Sequence, residues 1–133
     1  MKILAPLFFL LLASAAHGGE SFEDRVQRAN DLEKTAEGQA YQDAMWPLVG
    51  PVVADATSQC VPEDPDLEGQ AITLVVTVSA EGSPRDIEVQ PSTKAAKCIA
   101  SKIAGAPFPK PPEVFSASGL PLVFVLHLHM HEP

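Results

Sequence analysis

The sequence predicts an α+β fold: a three-stranded antiparallel sheet packed on one face by helices, preceded by an N-terminal helical segment. Three observations carry this. From residue 71 to residue 90 the apolar period is two, broken once by a glycine-bearing turn, as in a hairpin. From residue 120 to residue 130 the same alternation returns. Before and between these stretches the apolar period is three to four, as on a helix face.

The first helix is expected from residue 20. Ser21 can cap it, with Asp24 three residues on, in a capping box that has Asp in place of the preferred Glu. Phe22, Val26, Ala29, Leu32 and Ala36 form a thin apolar stripe among charges. Glu37-Gly38-Gln39 is expected to interrupt it. Ala40, Tyr41, Ala44, Met45 and Leu48 form a second stripe, complicated by Pro47 and by Gly50-Pro51. Proline is tolerated in a first turn, so a new short helix is expected from Pro51, with Val52, Val53, Ala56 and Cys60 facing inward. Residues 20–58 therefore read as a helical segment.

Residues 59–133 read as the α+β domain. Val61 to Asp66 is a loop by composition. In the first strand Ile72, Leu74, Val76 and Val78 face one way, and Thr73, Val75, Thr77 and Ser79 the other. Ala80 to Pro84 is a turn in which Gly82 can take positive φ. Ile87 and Val89 point inward from the second strand. Pro91-Ser92-Thr93 can cap a helix whose stripe is Ala96, Ile99, Ala100 and Ile103, with Lys94, Lys97 and Lys102 outward. Pro107 to Pro112 must be extended, with Phe108 plugging the core. In the last strand Leu122, Phe124, Leu126, Leu128 and Met130 share one face; Val123, Val125, His127, His129 and His131 share the other.

Residues 1–16 read as a secretory signal peptide: Lys2, then an apolar run from Ile3, then the small-residue exit Ala13-Ser14-Ala15. The run, about 14 residues, makes about 21 Å of helix against about 30 Å of hydrocarbon. A retained anchor and a buried core helix are the other readings. After cleavage no stable membrane insertion is expected. Export also bears on the two cysteines, which share no metal-ligand spacing. In an oxidising compartment Cys60 and Cys98 are expected to pair, closing a loop of about 39 residues and stabilising the fold by about 4 kcal/mol.

Composition excludes several classes of function. The chain has 133 residues, so one domain is the prior. Its net charge is -8, from 9 Lys+Arg against 17 Asp+Glu, which argues against nucleic acid and anionic membrane partners.

Cys60 to Met130 resembles the TonB C-terminal domain family, including its disulfide-bearing relatives. The resemblance lies in the hairpin "ITLVVTVSAEGSPRDIEVQPS", in "AAKCIASKIAGAPFPKPP" with its helix and extended proline segment, and in the final strand "GLPLVFVLHLHM". It covers about half the chain. It implies a periplasmic protein-binding module of the Gram-negative cell envelope whose final strand is an edge. Such an edge captures a partner's extended segment, here along Leu122, Val123, Phe124, Val125 and Leu126. From Leu120 to Met130 no lysine or glutamate blocks pairing. A homodimer through the same edge is open. The chain departs from an energy-transducing TonB in having a cleavable start and no long proline-rich spacer. If the start is retained, the membrane-anchored transducer subunit is the alternative.

His127, His129 and His131 offer a competing reading, a periplasmic metal-binding protein. Imidazoles about 7 Å apart on one strand close a tight site only by bending. Glu132 is the nearest further oxygen ligand. Asp64, Asp66 and Glu68 lack the glycine and terminal glutamate of a calcium loop. No nucleophile elbow or phosphate cradle is present, so neither an enzyme nor a cofactor is expected.

Overall fold

The computed structural model describes residues 19–61 and 71–128. The signal segment, residues 62–70, and His129, Met130 and His131 lie outside the described residues. The order is α1 (Phe22–Glu33), α2 (Ala36–Cys60), β1 (Ala71–Val78), β2 (Pro84–Gln90), α3 (Lys94–Ile103), a 3₁₀ turn (Glu113–Phe115) and β3 (Leu120–His127). The sheet is antiparallel in the order β2-β1-β3.

Ser21 caps α1 by accepting from the Asp24 amide. The break after α1 is at Lys34-Thr35, not at Gly38. Thr35 caps α2, and Gly38 is buried in its first turn, where a side chain would run into the Leu32 carbonyl. No new helix starts at Pro51: α2 runs unbroken through Pro47 and Pro51. Both prolines are exposed and four residues apart, so the missing amide bonds fall on the solvent side, where water serves the freed carbonyls. The opposite side buries Tyr41, Met45, Val49, Val53, Ala56 and Cys60. Burying each large apolar side chain is worth about 1.5–3 kcal/mol, enough to hold the helix across the interruption. The stripe is displaced from the expected one: Ala40, Ala44 and Leu48 are exposed.

The core lies between one sheet face and α2 with α3. Ile72, Leu74, Val76 and Val78 of β1 join Leu120, Leu122 and Phe124 of β3 there. Ala96, Ile99 and Ile103 come from α3. The Cys60–Cys98 disulfide joins the end of α2 to α3. Phe108 plugs the core edge-on to Phe124, with ring centroids 6.5 Å apart. The Tyr41 hydroxyl donates to the carbonyl of Pro109, the carboxy-terminal neighbour of that plug, at 2.7 Å.

The second sheet face is also partly covered. Val75 and Thr77 are buried, and α1 packs on the sheet mainly against β3. Arg25 of α1 reaches Glu88 Oε1 at 2.8 Å and Thr77 Oγ1 at 3.4 Å. The α1–α2 corner thus carries the chain from one face to the other beside the start of β3. Gly119 makes that start feasible: its φ is +79°, and a Cβ would sit 2.5 Å from Thr77 Cγ2.

Candidate strand-pairing edge

In an antiparallel strand the amide and carbonyl of one residue point to the same neighbour, and successive residues alternate. The Ser79 amide donates to Ser83 O on the β2 side. Thr77, Val75 and Thr73 therefore also face β2, and Ile72, Leu74, Val76 and Val78 face β3. Their partners on β3 are Leu126, Phe124, Leu122 and Leu120. The backbone groups of Pro121, Val123, Val125 and His127 are left pointing away from the sheet. The two strand prolines agree with this parity. Pro84 stands opposite Val78, which faces β3, and Pro121 opposite Thr77, which faces β2, so neither is asked for an amide hydrogen.

β3 is an edge, and among the described residues its backbone pairs only with β1. Of the five residues expected to bind a partner, Val123 and Val125 hold the open groups. Leu122, Phe124 and Leu126 spend theirs on β1. The other edge differs. β2 carries Arg85, Asp86 and Glu88, and its pairing shifts by one residue at Asp86, which has φ 52°. Charges and a bulge both hinder strand addition. β3 has neither from Leu120 to Leu126.

Each flank of the open edge has an apolar surface. On the core-side face Trp46 of α2 meets Phe124 edge-on, centroids 5.6 Å apart, and stays 44% exposed. Phe124 is mid-strand, so the indole lies over the middle of β3 rather than at the sheet's end. On the other face Val125 is 55% exposed. At the start of β3 a pocket of about 280 Å³ is lined by Arg28, Asp31, Leu32, Thr35, Phe115, Ser118, Gly119 and Pro121.

Trp46 was not singled out by the sequence reading. Its signal is that the one tryptophan of the chain lies off the apolar stripe of its helix. His127 is exposed at the end of β3; His129 and His131 lie outside the described residues. Among the described residues no group of three or more His, Cys, Asp or Glu side chains is placed to hold a metal, and no helix is long and apolar enough to cross a membrane. No family model, curated protein or solved structure matches the chain.

Proposed function

We propose that this protein is a protein-binding module that captures an extended segment of a partner by adding it to β3, in an oxidising compartment outside the cytoplasm. The observation that carries the reading is the open edge: outward amides and carbonyls at Val123 and Val125 on an uncharged strand. Strand addition satisfies these groups, and pockets beside the edge select alternate side chains. The Cys60–Cys98 disulfide supports the compartment. The resemblance to the TonB C-terminal domain family adds the periplasm and an envelope partner to the proposal.

The test is a display library of extended peptides selected on the folded protein. Selected peptides should lose binding to Val125→Pro, whose ring removes the outward amide, while the variant keeps its circular dichroism. Full binding to a folded Val125→Pro variant would sink strand addition at this edge.

A further inference from the structure

We infer that the Asp43–Trp46 flank of α2 is a recognition site for a lysine or arginine side chain on the strand added to β3. The inference rests on the strand-addition reading and names the chemistry of the partner.

Two features of the flank favour a cation. Trp46 packs on Phe124 of the edge strand and leaves 44% of its surface open, and an aromatic face attracts ammonium and guanidinium groups. Asp43 precedes Trp46 by three residues, so its exposed carboxylate lies on the neighbouring surface of the same helix. A carboxylate and an aromatic face thus occupy one turn, and both favour a cation over an anion.

Charge also selects among occupants of the edge. A second copy of this chain would bring a net charge of -8 against another -8. β3 itself carries no charge between Leu120 and Leu126, so it offers this flank nothing. A basic, alternating segment of a different protein fits both the open backbone and the flank. Its apolar side chains would meet Val123 and Val125 on one face, and its cation would meet Trp46 and Asp43 on the other.

Trp46 is the only tryptophan, so its emission reports occupancy directly. The probes are synthetic peptides of about nine residues, long enough to span β3, alternating valine with serine around a central lysine, glutamine or glutamate. The lysine peptide should shift Trp46 emission and bind on the order of tenfold tighter than the glutamate peptide, with the preference shrinking as salt is raised. Asp43→Asn, and Trp46→Leu read by titration calorimetry because it lacks the reporter, should each remove most of that preference. Equal binding of the three peptides, or no response to any, overturns the inference. If Val125→Pro abolishes binding while Asp43→Asn leaves the preference intact, the edge reading stands and the cation site falls. If Val125→Pro binds normally, both fall together.

Discussion

Val125 and Leu126 are neighbours on β3, yet the strand register assigns them opposite responses to proline. Leu126 stands opposite Ile72, whose backbone faces β3. Proline at 126 removes the amide that serves the Ile72 carbonyl, and Ile72 is fully buried. An orphaned buried carbonyl costs about 1–3 kcal/mol, and the ring crowds the ladder as well. Val125 points its amide to the open side, as Pro121 points its nitrogen on the same strand. There the backbone cost should stay within about 1 kcal/mol. Side-chain loss differs between the positions, so the quantity to read is proline minus alanine at each. Urea unfolding of Val125→Ala, Val125→Pro, Leu126→Ala and Leu126→Pro gives it directly, provided the slopes match. The expected differences are below about 1 kcal/mol at 125 and roughly 2–4 kcal/mol at 126. Equal differences, or a larger one at 125, would show that the open groups are not those of Val123 and Val125.

Three further outcomes follow from the packing. Reducing the Cys60–Cys98 bond, which spans a sequence separation of 38, should cost about 4 kcal/mol in chain entropy and shift the urea midpoint accordingly; an unchanged midpoint would contradict this. Gly38→Ala should destabilise by more than about 2 kcal/mol, because the new methyl meets the Leu32 carbonyl. Gly50→Ala, which beyond its chain neighbours meets only the Trp46 ring at 3.5 Å, should instead change stability by less than about 1 kcal/mol, the gain over glycine being offset by crowding against the Pro51 ring. Thermal melts that rank the two glycines the other way would refute the corner geometry. Burial raises the pKa of the Tyr41 hydroxyl above its ordinary value of 10.0. The unfolded chain therefore loses that proton first, and stability should fall as pH rises past about 10. Tyr41→Phe should flatten that limb, and because Tyr41 is the only tyrosine, phenolate absorbance follows the same group.

Much of the fold was legible because its causes are local. Caps at Ser21 and Thr93, the period-two runs, the turn at Gly82 with φ +87° and the plug at Phe108 all depend on a few adjacent residues. The cysteine pairing was legible for a different reason: two cysteines admit one intramolecular pairing. The helix breaks expected at Gly38 and Pro51 are absent, because local propensity takes no account of burial. The prolines survive in α2 because the opposite face is anchored by Tyr41, Met45, Val49 and Val53. At Gly38 the glycine is spent on a close helix–helix corner rather than on flexibility.

By itself the sequence determined the order of helical and extended segments, the apolar faces of the strands, that the last strand is uncharged through Leu126, and that the two cysteines can pair. The tertiary structure alone decided that β1 is the middle strand, that Val123 and Val125 rather than their neighbours hold the open backbone groups, that α1 crosses to the second face through Arg25, and that Trp46 packs on Phe124 of the edge strand. The division has a physical reason. Period and capping are set by contacts within one or two turns, whereas strand order, hydrogen-bond parity and the company of a side chain are set by contacts between residues tens of positions apart.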